Sequence, residues 1–167
     1  MSHVASIDIV VKDEAALAQA AQRLGGEMLC GQPPRWFGHW VDDSPLPDGI
    51  FAPELTEILR ADRSNAGSLA RKKAMNDAVR GAEYIIRLPG QDWDVAVVRR
   101  WDGAFALVFD WYGSAGAKLQ TALGGRGAGL LKQAYGAELA KRKARLQGYR
   151  VHETLQADGT ICLVGTK

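Results

Sequence analysis

The residues best placed to do chemistry lie in the stretch 93–113, WDVAVVRRWDGAFALVFDWYG, where two apolar runs meet at Asp102-Gly103. A two-residue loop there scatters the large side chains over both faces of the hairpin. A three-residue loop, Trp101-Asp102-Gly103 with Gly103 left-handed in a bulge, gathers Trp93, Val95, Val97, Phe105, Leu107, Phe109 and Trp111 on one face. The other face then carries small residues, and Asp94 and Asp110 stand opposite each other on it. Two adjacent carboxylates cannot both ionise cheaply, so such a pair serves acid/base catalysis or holds a hard cation. The competing reading is that each acid caps a strand end and pairs with Arg87, Arg99 or Arg100.

A second cluster is Trp36, His39 and Trp40, in which a histidine between aromatic rings could stack on a base or act as a general base. Its structural alternative puts Trp36 and Trp40 in the core and His39 at the surface. A third is the basic run 126–150, where seven cations face one acid, Glu138, for a balance of +6; the rest of the chain, with fourteen cations and eighteen acids, is −4. Lys141, Arg142, Lys143 and Arg145 could neutralise phosphates, or they could form a solvated face suited to the helix dipole. Gly124-Gly125-Arg126-Gly127-Ala128-Gly129 precedes a helix as phosphate-cradling loops do. It lacks the lysine and hydroxyl of a P-loop and follows an antiparallel hairpin, which favours a flexible linker.

Other chemistry finds little support. The histidines are scattered and the two cysteines, Cys30 and Cys162, have no metal-type spacing, so no metal or cofactor is expected. There is no G-x-S-x-G and no cysteine with an evident histidine partner. The net charge of +2 is too small to attract nucleic acid non-specifically. The opening MSHVASIDIVV has no basic n-region, and no apolar run approaches a membrane span, so the expectation is a soluble cytoplasmic protein with free thiols and no membrane partner.

The elements that must position these residues follow from periodicity. Ala5, Ile7, Ile9 and Val11 alternate with Ser6 and Asp8 as a strand, and Asp13 caps a helix with Leu17, Ala20, Ala21 and Leu24 inward and Gly25 as its left-handed stop. Pro33-Pro34 and Pro45-x-Pro47 bracket a short aromatic strand at 35–41. Helices are predicted over Pro53 to Arg60 and Ser68 to Arg80, with Ser68 as cap and a mobile joint at 62–67. Glu83 to Leu88 is a strand stopped by Pro89-Gly90. Residues 130–147 form a helix with Leu131, Tyr135, Leu139 and Leu146 inward, ended by Gly148. A last hairpin turns at Ala157-Asp158-Gly159 and aligns Val151 and Leu155 with Ile161 and Leu163. The sum is a single α+β domain spanning 1–167. It has a mainly antiparallel sheet of about five to seven strands, two main helices packed on it and a helical insertion at 53–80.

Met1-Ser2-His3-Val4, Ile86-Arg87-Leu88-Pro89-Gly90, Trp93-Asp94-Val95, Asp102-Gly103, Asp110-Trp111-Tyr112-Gly113, Tyr135, Gly148-Tyr149-Arg150-Val151 and Asp158-Gly159-Thr160-Ile161 occur in an order that resembles the hypothetical chloroplast reading frame thirty-five family. That family occurs in plastids, cyanobacteria, other bacteria and bacteriophages, and the segment Arg35 to Gly49 is most similar to its phage-borne members. The family carries no assigned activity, so the resemblance implies a setting, the cytoplasm of a host cell, and no catalytic residue. The chain departs from the family pattern at about 54–82 and 114–129. Three functions fit these residues. In order, they are a phage-encoded, non-enzymatic binding module for a host or viral macromolecule; a nucleic-acid or nucleotide binder using Lys141, Arg142, Lys143 and Arg145 with Trp36 or Trp40; and an acid/base enzyme built on Asp94 and Asp110.

Overall fold

The computed structural model describes residues 4–37 and 46–167. Its elements run β1 (Val4–Val11), α1 (Glu14–Arg23), β2 (Glu27–Cys30), α2 (Pro53–Ala61), α3 (Asn65–Arg80), β3 (Tyr84–Arg87), β4 (Val95–Arg99), β5 (Phe105–Asp110), α4 (Gly113–Ala122), α5 (Gly129–Leu146), β6 (Arg150–Leu155) and β7 (Ile161–Thr166). This is an α+β fold. Five strands form one antiparallel sheet in the order β1-β5-β4-β3-β2, and β6 and β7 form a separate two-stranded sheet.

The β4–β5 register settles the hairpin. Val97 pairs with Leu107 and Arg99 with Phe105, leaving Trp101-Asp102-Gly103 as the loop. The Arg100 N–H donates to the Ala104 carbonyl at 2.8 Å, and Gly103 takes φ +82°. A side chain at 103 would meet open space, so only the backbone penalty of the left-handed region opposes one. Gly103→Ala is therefore expected to lower stability by about 1 kcal/mol, measured by urea unfolding, without shifting the register.

That register sorts the sheet into two buried faces. Val95, Val97, Phe105, Leu107 and Phe109 join Ile7 and Val11 of β1 and pack under Leu17 of α1, Leu119 of α4 and Leu131 and Tyr135 of α5. Ala96, Val98, Ala106 and Val108 line the opposite face with Val4, where their small size admits Met75 and Val79 of α3, Leu59 of α2 and the indole of Trp36. Residues 53–80 thus supply the second covering layer of the sheet. Every residue of β5 is buried, as a strand sandwiched on both faces requires.

Local signals account for most boundaries. The Asp13 carboxylate accepts from the Ala16 N–H, and Gly25 at φ +77° closes α1. The hydroxyl of Tyr135 accepts from the N–H groups of Lys12 and Asp13, tying the start of α1 to α5.

Several expectations need correction. Arg35 to Phe37 form a turn, closed by the Phe37 N–H on the Pro34 carbonyl, and not the start of an aromatic strand. The cap of α3 is Ser64, which accepts from the Gly67 N–H, so the helix begins before Ser68. The joint is correspondingly short and tied: Asp62 Oδ1 accepts from the Ser64 N–H and hydroxyl, and Arg71 Nη1 donates to the Leu59 carbonyl. Much of 114–129 is a helix, α4. Leu146 is 79% exposed instead of inward, at the last residue of α5. The short edge strand β2 was not anticipated.

Candidate functional site

One row of residues crosses the sheet at the β5 C-terminal end. Glu27 pairs with Arg87, and Asp110 pairs with Val4. Continuing the β3–β4 and β4–β5 registers one and two steps sets Asp94 between Arg87 and Asp110. Pairing in an antiparallel sheet puts all five side chains on the same face. The hairpin alone foretold the two acids; the arginine needed the β3 register.

Asp94 is fully buried, at 0% exposure. Its Oδ1 accepts from Arg35 Nη2 at 2.7 Å, from Arg35 Nε at 3.1 Å and from Arg87 Nε at 3.1 Å, and its Oδ2 accepts from the Arg35 backbone N–H at 3.1 Å. Burial pushes the Asp94 carboxyl up, but the hydrogen bonds from Arg35 and Arg87 outweigh it and hold the group below the usual carboxylate range. Hydrogen bonding to Asp94 in turn raises Arg87. A carboxylate so saturated orients guanidinium groups. Arg87 was among its foreseen partners; Arg35 was not, and Arg99 and Arg100 instead pair with Glu83 and Asp102.

Asp110 is also buried, and its Oδ1 accepts from the Tyr112 N–H at 2.9 Å. This two-residue-on bond is an Asx turn that ends β5. Gly113, at φ +68°, then opens α4, and the Arg126 guanidinium lies 3.8 Å from the centre of the Trp111 ring.

Trp36 is 1% exposed, and its Nε1 donates to the Asp94 carbonyl at 2.6 Å. It is a core residue that staples the Arg35 turn to the start of β4, and its ring has no face left for a base. His39 and Trp40 lie outside the described residues.

The basic residues of α5 divide. Lys141 is mostly enclosed, with Nζ bonded to Glu153 at 2.9 Å and paired with Glu138; Arg23 joins the same two acids. Arg142 pairs with Asp13 at 2.9 Å. Lys143 and Arg145 are exposed. Hydrogen bonds from Arg23 and Lys141 bring Glu153 down to about 2. Because its folded value is depressed, Glu153 contributes stability that is present above its unfolded value near 4.5 and fades as pH falls toward 2. Glu153→Gln should therefore flatten the loss of thermal stability between about pH 5 and pH 2, read by calorimetry.

The glycine-rich loop is no phosphate cradle. The N–H groups of Gly125, Ala128, Gly129 and Leu130 donate to Gln120, Gly125, Gly124 and Leu123 carbonyls, so the turn uses them itself.

Arg35 and Arg87 line a cleft of about 420 Å³ that also takes in Gly25, Gly26, Gly90 and Gln91. The bonds to Asp94 use Nε and Nη2 of each arginine; Nη1 of each has no partner among the described residues. Gln91 Oε1 is buried without a hydrogen-bond donor. Sequence reasoning missed this cleft, whose only local signal is the Pro33-Pro34 break ahead of Arg35.

Among the described residues, no group of three or more His, Cys, Asp or Glu gathers as a metal site, and no helix is long and apolar enough to cross a membrane. Cys30 and Cys162 are free. Comparison of the chain with known protein families, curated proteins and solved structures finds no match.

Proposed function

We propose that this chain is a non-enzymatic binding module for a host or viral macromolecule, a phage-type member of the family it resembles, acting in the host cytoplasm. One observation carries the reading: Asp94, half of the candidate acid pair, is saturated by Arg35 and Arg87, and those arginines line an open cleft. Fixed donors with their geometry set in advance recognise a ligand group at low ordering cost. An acid/base residue needs a carboxyl that exchanges protons near neutral pH, and a doubly arginine-bound carboxylate does not.

Affinity capture with the full chain as bait, from infected or native cells and scored for protein and nucleic acid, tests the proposal. A protein retained after nuclease treatment is the expected result. Capture of nothing, or of material lost to nuclease, contradicts it.

A second reading, nucleic-acid binding, is favoured by the exposure of Arg142, Lys143 and Arg145 along α5. Under it, Lys143→Gln with Arg145→Gln weakens a salt-sensitive gel shift and reduces the salt slope by about 1 per lost phosphate contact. Lys141 is left intact in that test because it is tied to Glu138 and Glu153. Unchanged binding in the double variant excludes this face.

A further inference from the structure

We infer that the Arg35–Arg87 cleft binds the C-terminal carboxylate of an extended peptide; this rests on the binding reading above and names its ligand. The charge of the cleft selects the class. Asp94 and Glu27 together offset the two guanidinium groups, so the four charges of the cleft sum to zero. Glu27 is exposed at the rim, and with no excess positive charge beside it a second negative charge on the ligand goes uncompensated. A single carboxylate, held by directed N–H donors, fits that balance better than a phosphate dianion. Nη1 of Arg35 and Nη1 of Arg87 supply donors from two directions, the arrangement that grips an oxyanion.

The remaining groups ask for something beyond an anion. Gln91 lines the cleft, and its Oε1, sealed from solvent without a donor, gains an N–H or O–H next to the carboxylate when the side chain turns toward the ligand. From Glu27 the edge strand β2 runs away from the cleft, and among the described residues no strand pairs with its outer side. A peptide end meets all three requirements at once. Its carboxylate lies between the arginines, the adjacent amide N–H reaches Gln91, and the preceding residues lengthen the sheet along β2. Gly90, with open space where a side chain would stand, leaves the entrance clear.

The test is a nitrogen-15 NMR titration of the full chain with four probes: acetyl-tetra-alanine bearing a free C-terminal carboxylate, the same peptide as its C-terminal amide, acetate, and inorganic phosphate. The free-acid peptide is expected to shift the Gly26, Gly90 and Gln91 amides, the Arg35 and Arg87 Nε–H signals and the β2 amides. The amide peptide should bind about tenfold more weakly or worse, for loss of charge-assisted hydrogen bonds, and acetate should shift the cleft but not β2. Gln91→Leu, which leaves the arginine pair intact, should weaken the free-acid peptide severalfold. Equal binding of acid and amide, preference for phosphate, or no shift at these residues overturns the assignment. If the peptide fails while affinity capture still retains a protein, only the ligand chemistry falls; if both fail, the binding reading falls with it.

Discussion

Replacing Asp94 with asparagine is expected to destabilise the protein by about 2–4 kcal/mol. The substitution keeps the shape of the side chain and removes the charge that Arg35 and Arg87 share. Removing one partner of a buried ion pair is costly because the other remains in place without its counter-charge. Here the arginine side chains are 38% and 32% exposed, so water recovers part of their loss and the cost stays below the extreme for a sealed pair. The depressed carboxyl also fixes the pH dependence. Asp94 contributes stability above its unfolded value, and that contribution fades as acid protonates the folded form. Equilibrium unfolding in urea at neutral pH and at about pH 3 should show the wild type and Asp94→Asn converging in acid. A variant as stable as the wild type at neutral pH would mean that the arginines do not depend on Asp94.

Trp36→Ala should be more damaging, at about 3–5 kcal/mol. The indole is enclosed by the α2 and α3 side of the sheet, and its Nε1 holds the Asp94 carbonyl. Truncation leaves a large cavity beside Ala96 and Val98, which are too small to collapse into it, and releases the turn that delivers Arg35. The two predictions are coupled through that turn. A double variant of Trp36 and Asp94 should cost less than the two single costs combined, because either change frees Arg35. Thermal unfolding of the four proteins in that cycle measures the coupling; strict additivity would show that the turn is held by something else.

What could be read in the residues, and what could not, divides along the range of the interactions. The bend at Gly103, the cap at Asp13, the stop at Gly25 and the hairpin at Asp158-Gly159 are set by contacts within a few positions, and each stands where the pattern put it. The two-sided sorting of β4 and β5 followed from the same local bend. Ser64 and Ser68 are equally good caps by type, and only Asp62, which binds Ser64, chooses between them. Residues 114–129 looked like linker because glycine disfavours helix. Tertiary packing overrides that: Leu119 and Leu123 are buried under the sheet, and Gly116 lies where a side chain would strike the Trp111 backbone at 2.2 Å.

The candidate site was legible only in halves. Asp94 and Asp110 emerge from one hairpin, and an arginine partner for an acid on a strand is a general expectation. Which arginine is a matter of long-range order. Arg87 depends on the register of β3 against β4, and Arg35 on a proline-led excursion that returns 59 residues earlier in the chain. The β2 edge was hidden because Glu27-Met28-Leu29-Cys30 is too short to display a period. The cleft joins all three of these non-local features.

The most direct measurement of the account is the carbon-13 titration of the Asp94 side-chain carboxyl in the intact protein. A carboxylate that orients Arg35 and Arg87 stays ionised across neutral and mildly acidic pH and begins to protonate only below the ordinary range near 3.9. A midpoint above that range would identify a proton-exchanging carboxyl and contradict the assignment of Asp94 as the anchor of a binding cleft.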